Sequence, residues 1–390
     1  MRKFLKWTAR LILALALAAL VAGIWKREQI TRLMAVNSLF SEDRIVSNFS
    51  NMNKAFLYRD VPKGDAPPSP LRVGTPMVLP PGAGAWITDR AVTSLLVMAA
   101  GEIVYEDYYL GTGPDDRRIS WSMAKSYLSA LFGVLVDEGA IDSLDDPVTK
   151  YAPALTGGAY DTATIRNVLQ MASGVRFDED YLDFKSDINR MGRVIALGGT
   201  MDGFAAGLTE TFATPGTDWQ YVSIDTHVLG MVIRGATGRD IPDLLSEKII
   251  RPLALDATPY YLTDGKGVAF VLGGLNLTTR DYARFGLMME QNGRYGGRHI
   301  VPADWIAAST KASAPTAPGE SGYGFQWWIP EDAQEGEFFA RGIYGQYIYI
   351  DQARDVVIVT TGADRSFREA GVHAQNLAMF RAIAGLNAAR

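Results

Sequence analysis

Ser122 and Lys125 stand three residues apart at the start of the apolar stretch SWSMAKSYLSALFGVLVDEGAID, residues 120 to 142. On a helix that spacing puts the hydroxyl and the amine on one face. Burial and the positive field at a helix N-terminus both disfavour an ammonium there. A neutral amine beside a hydroxyl is a general base beside a nucleophile. The same pair also fits a serine that caps a helix and a lysine that extends into solvent. No other serine in the chain is followed by lysine at the third position.

Two further stretches carry groups that complete such chemistry. In PGTDWQYVSIDTHVLG (215 to 230) a Pro-Gly turn precedes Tyr221 and then an apolar helix. A tyrosine held near lysine and serine can relay a proton to a leaving group. In FFARGIYGQYIYID, Gly342 interrupts a strand. Glycine there permits close approach of backbone to a ligand, and the next amide, Ile343, can donate to an oxyanion.

Other catalysts are excluded by composition. There is no cysteine, so thiolate nucleophiles, disulfides and Cys-ligated zinc are ruled out. The histidines His227, His299 and His373 are scattered outside any HExxH spacing. Neither the G-x-S-x-G elbow nor the phosphate-cradling G-x-x-x-x-G-K-[ST] is present. No metal or organic cofactor is implied.

The elements that must position these groups follow from patterning. TSLLVMAAGEIVYEDYYL reads as a hairpin around AAGE. Near the other end GYGFQWWIP, FFARGIYGQYIYID and DVVIVTTGAD read as three strands, followed by an amphipathic helix from about His373 to Ala388. Residues 120 to 310 between them read as mainly helical. Strands gathered apart from helices predict an α+β fold, with one antiparallel sheet built from both sequence ends, flanked by helices and carrying a helical insertion.

The N-terminus reads as a membrane signal. Residues 1–27 hold six basic residues and no acidic one around the run LILALALAALVAGI. This suits an uncleaved anchor, its basic end inside and the body exported, with secretion the alternative if the segment is cleaved. Net charge is −5, so the remainder carries −11, which makes nucleic acid an unsuitable partner. Residues 28–84, dense in Pro and Gly from residue 61, read as a linker and extended arm, leaving 85–390 as the catalytic domain.

In this order, the Ser122, Tyr221 and Gly342 segments resemble the serine β-lactamase and DD-peptidase superfamily, in its class C-like branch. DDPVTKYAP, TIRNVLQMASGV, IIRPLALDAT and GGLNLTTRDYARFG extend the resemblance over about residues 85 to 385. It implies a β-lactamase/transpeptidase-like fold. It also implies Ser122 as the acylated nucleophile, Lys125 as its base and Tyr221 as proton relay, with the N–H groups of Ser122 and Ile343 as the oxyanion hole.

The departures narrow the reading. The family's Tyr-x-Asn is Tyr221-Val222-Ser223 here, and Lys-Thr-Gly is Ala340-Arg341-Gly342. The missing lysine argues against an efficient β-lactamase or transpeptidase. YVSIDT and GIYGQ resemble 6-aminohexanoate-dimer hydrolases and related esterases, which implies Tyr181, Ser223 and Gly342 in substrate binding. Asp178, Glu179, Asp180 and Asp183 form either an amine-attracting cluster or a solvated loop. The expectation is a serine hydrolase of small linear amides or esters, tied to the inner membrane and facing the periplasm of a bacterial cell envelope. The rivals are a penicillin-binding protein or class C β-lactamase and a non-catalytic envelope protein.

Overall fold

The computed structural model describes residues 2–387. The first helix, α1 (Arg2–Trp25), buries none of its side chains and is long and apolar enough to cross a membrane. At Lys26 the chain passes into α2 (Arg27–Ser38), then α3 (Ile45–Ser50) and α4 (Met52–Ala55).

The first half of the stretch that composition reads as a linker is folded onto the body instead. Ile45, Phe49, Met52 and Phe56 are all buried in the main core. Their spacing is helical, a pattern hidden by the Asn and Ser residues around them. Strand β1 (Tyr58–Asp60) then pairs with a strand some 200 positions later. Between residues 61 and 80 the only regular element is β2 (Arg72–Val73), with Val61 and Met77 buried at either end.

Helix α5 (Ala83–Asp89) leads into β3 (Val92–Ala99) and β4 (Glu102–Tyr108). Ala100 and Gly101, with φ of 48° and 75°, make the tight turn between them. Both turn residues are left-handed, the geometry that matches the twist of paired strands. The eight-stranded sheet runs 322–323, 328–329, 337–342, 346–351, 356–362, β3, β4, β2, and is antiparallel except for the β2–β4 edge. It is therefore built from both ends of the sequence, as the pattern predicts.

All eight residues of β3 are buried because both faces of the sheet are covered. Leu96 and Met98 face the main core; Leu95 and Val97 pack with Trp86 of α5 and with Phe380 and Ile383 of the C-terminal helix. That helix spans Val372–Gly385, and Ala388, its expected end, lies outside the described residues. FFARGIYGQYIYID, read above as one interrupted strand, is a hairpin: Glu337–Gly342 pairs with Gln346–Asp351, and Gly342 is the last residue of the first strand.

The region between the ends is mainly helical but holds a second, four-stranded sheet made of β1, β5 (Arg118–Ile119), β6 (Tyr260–Leu262) and β7 (Leu275–Leu277). Its strands are two or three residues long, too short to leave a period-2 signal. Strand β5 feeds directly into α6 (Met123–Asp137), buried at every position from Met123 to Leu135.

Candidate active site

Ser122 is delivered by a turn pinned at both ends. The Ser120 N–H donates to the Leu275 carbonyl at 2.8 Å, and Trp121 adopts φ of 43°, a left-handed conformation unfavourable for a bulky residue. Such strain persists only where the surroundings enforce it. Ser122 itself is right-handed helical, and its side chain makes no capping bond. Lys125 is 1% exposed. A capping serine with a solvated lysine is therefore not what the fold contains.

The Lys125 Nζ donates to the Leu272 carbonyl at 2.9 Å and to Ser223 Oγ at 3.4 Å, and it lies 5.3 Å from the centre of the Tyr221 ring. Burial pushes the amine down from 10.5 to about 7, against the opposing pull of Glu179 and Asp225. Desolvation, more than the helix start, lowers it. Those two carboxyls are themselves pushed up by burial, Asp225 to about 8. Asp225 Oδ1 accepts from Tyr160 Oη at 2.6 Å and Ser173 Oγ at 2.9 Å. No carboxylate lies within ion-pairing distance of Lys125 among the described residues. The site holds a buried amine that is readily neutral.

Tyr221 sits just ahead of the helix Ser223–Thr237, stacked on Trp328 with ring centroids 5.4 Å apart. Burial raises its phenol, and the neighbouring Ser122 hydroxyl works the other way. The three groups implied by the resemblance thus converge on one place.

Gly342 closes the site from the sheet. A Cβ there would lie 2.5 Å from the Ser120 carbonyl oxygen and 3.1 Å from Trp121 Cβ, so only glycine lets the strand end approach the Ser122 turn this closely. Beyond it, Tyr344 and Gly345 are left-handed, with φ of 62° and 88°. The Gln346 side-chain amide donates to the carbonyls of Ile343, Tyr344 and Gly362 at 3.2, 3.1 and 2.9 Å, holding the hairpin.

The two left-handed residues that bracket this region, Trp121 and Tyr344, are clamped by the same pair of rings. Phe40 stacks on Tyr344 at 4.8 Å and lies 5.7 Å from Trp121; Phe49 meets them at 5.5 and 5.4 Å. Both phenylalanines belong to the N-terminal segment. Their role is invisible in sequence because nothing local links residue 40 to residue 344.

The acidic loop divides. Asp178, Asp180 and Asp183 are exposed, and Asp180 pairs with Arg368 at 3.2 Å. Glu179 turns inward, accepting the Ser223 N–H at 2.5 Å and the Tyr181 hydroxyl at 3.0 Å. Only its position, flanked by solvated aspartates, distinguishes it, and sequence reading does not single it out. Ser223 touches both Lys125 and Glu179, and Tyr181 lines the site as expected.

Two cavities meet at Ser122, Tyr181 and Ile343. One, of about 220 Å³, is the more polar of the two because the charged Glu179, Arg341 and Arg368 line it beside Tyr221. Arg341 does point inward, 5.9 Å from the Trp328 ring, and forms no ion pair among the described residues. The other, of about 120 Å³, is largely apolar.

Known proteins resemble this chain in sequence and in fold. The sequence family described as Beta-lactamase matches residues 87–377. The 6-aminohexanoate-dimer hydrolase of Paenarthrobacter ureafaciens is 32% identical over 287 residues, covering 70% of this chain and 73% of that one. Among solved structures, a 6-aminohexanoate-dimer hydrolase candidate from Bacillus anthracis superposes with a TM-score of 0.76 at 23% identity, over 89% of this chain and 95% of the other. The octameric penicillin-binding protein homologue from Pyrococcus abyssi gives 0.58 at 20% identity, over 77% and 76%. At these identities the superpositions speak for the fold alone. The fold, the extent of the sequence match and the relative at 32% identity together make this chain a member of the Beta-lactamase family of serine hydrolases.

Proposed function

We propose that the protein hydrolyses a linear amide or ester through an acyl-enzyme on Ser122. Lys125 takes the hydroxyl proton while Ser122 Oγ bonds to the substrate carbonyl carbon. The N–H groups of Ser122 and Ile343 receive the oxyanion. The carbon–nitrogen or carbon–oxygen bond then breaks, and Tyr221 passes a proton to the departing atom. Water attacks the acyl-enzyme, freeing the acid and restoring the hydroxyl. Tyr181 and Ser223 shape the substrate site and Gly342 allows the close approach.

The observation that carries this reading is the buried Lys125 amine, without an ion-pair partner among the described residues and lowered by burial to about 7. The relative at 32% identity, named for the 6-aminohexanoate dimer, supports a linear amide as the type of bond cleaved, without fixing the acyl group. One observation favours a second reading: Arg341, without an ion pair among the described residues, lines the cavity beside Ser122, where it could receive a carboxylate. D-amino-acid peptides and β-lactams carry such a group, which keeps a penicillin-binding or β-lactamase activity in view. Helix α1 supports a membrane-anchored enzyme in the bacterial envelope, with the body periplasmic.

The test is labelling of the purified protein by a fluorophosphonate, followed by a screen of linear amides, D-peptides, short-chain esters and a chromogenic cephalosporin. Ser122→Ala is expected to abolish both labelling and turnover. Equal labelling of the wild type and Ser122→Ala would exclude the mechanism.

A further inference from the structure

The cavity on the other side of Ser122 from Tyr221 is built in large part by the N-terminal segment. Val36, Leu39 and Phe40, at the end of α2, line it together with Met52 and Phe56. Met191 and Ile195 form the facing wall, on the helix Asp187–Ala196. Arg32 Nε ties the two walls together by donating to the Ala196 carbonyl at 2.9 Å. No charged side chain lines this cavity.

The placement of Tyr221 assigns the two cavities. Its hydroxyl must reach the departing atom, and it lines the polar cavity but not the apolar one. The leaving group therefore lies toward Arg341, and the acyl part extends under α2. A charged ω-amino tail would find no carboxylate there to replace its hydration, whereas a hydrocarbon chain would be transferred from water to an apolar wall.

The cavity is also close to α1 in sequence. Helix α2 follows α1 after a single residue, Lys26. Ile30 and Met34 on α2, and Leu182 and Phe184 ahead of the facing helix, are large apolar side chains left exposed. Apolar groups gathered beside a membrane-spanning helix suit a site supplied with amphiphiles.

Resting on the acyl-enzyme reading above, we infer that the substrate is an amphiphile whose unbranched hydrocarbon acyl chain occupies the cavity roofed by α2. One water is consumed, the ester or amide bond breaks, and a fatty acid leaves with its alcohol or amine. The amphiphile comes either from the bilayer that holds α1 or from solution.

The test uses the full chain in lipid nanodiscs and a series of alkylphosphonofluoridates with methyl, hexyl, dodecyl and 6-aminohexyl groups on phosphorus. Ser122 Oγ bonds to phosphorus, fluoride departs, and the hydroxyl proton is taken up by Lys125, so the rate reads cavity fit without a known substrate. The hexyl probe is expected to label Ser122 at least about tenfold faster than the methyl and aminohexyl probes, because each methylene buried is worth several-fold; the dodecyl chain, larger than the cavity of about 120 Å³, should add little more. Val36→Trp, which fills the cavity, should lower the hexyl-to-methyl ratio; Met191→Phe serves the same purpose from the other wall. Methyl or aminohexyl labelling as fast as hexyl overturns the inference but leaves the serine hydrolase intact. Absence of labelling by every probe overturns both. Supplying the dodecyl probe from the same nanodisc or on albumin separates the sources, the faster route being the one the site is built for.

Discussion

The ring of Phe40 stacks on that of Tyr344 with centroids 4.8 Å apart and planes 16° from parallel. Tyr344 follows Ile343, and its left-handed backbone turns the hairpin at the mouth of the site. The segment that follows α1 thus props the turn carrying a proposed oxyanion donor. Phe40→Ala is expected to slow labelling of Ser122 while leaving most of the fold intact. Phe49→Ala, which empties a fully buried position, should also lower stability by about 3 kcal/mol. Chemical denaturation alongside probe labelling separates the two effects.

Lys125 should give the enzyme an acidic limb near pH 7. The amine acts as base only when neutral, so acylation rises as pH passes through about 7. Replacement by Met should reduce turnover by about 10²–10⁴-fold. Stability rises with pH as well, but over a wider window. The unfolded lysine keeps its proton to about 10.5 while the folded one releases it near 7. The unfolded state therefore binds more protons in that window, and wild-type stability climbs with pH from about 7 to 10.5. Lys125→Met should melt higher than wild type at pH 6, with the gap narrowing at pH 9.

Glu179→Gln keeps an acceptor for the Ser223 N–H and the Tyr181 hydroxyl but removes a charge that raises the Lys125 pKa. The acidic limb should move to lower pH while the protein still folds. A limb that stays in place, or moves up, would show that Glu179 does not face the amine as its geometry indicates.

Tyr221→Phe separates proton delivery from attack. Fluoride departs without being protonated, whereas an amine must be. Amide turnover should fall by about 10²–10⁴-fold, the range for a lost general acid, with a much smaller fall in phosphonofluoridate labelling. Equal losses would assign Tyr221 to positioning alone.

Gly342→Ala forces a Cβ to within 2.5 Å of the Ser120 carbonyl. Because the obstacle is backbone, strand and turn must separate. Labelling should drop sharply, with a stability loss of about 1–3 kcal/mol typical of overpacking. Rapid labelling by the variant would mean that the close approach is dispensable.

Features encoded within one element were legible in the sequence. The Ser122–Lys125 spacing, the Ala100–Gly101 turn and the apolar run of β3 each express a local rule of helix face, turn conformation or burial, and the structure contains each of them. The order of the three site segments was enough to place the family. Tertiary structure alone decided the environment of those groups. The Lys125 amine is lowered by burial and held by Leu272, and Glu179 is singled out from its aspartate neighbours by Ser223 and Tyr181. Residues 27 to 60 become part of the site through Tyr344 and Trp121, and the polar cleft receives Arg341. Desolvation and packing depend on neighbours tens to hundreds of positions away, so no window along the chain contains them.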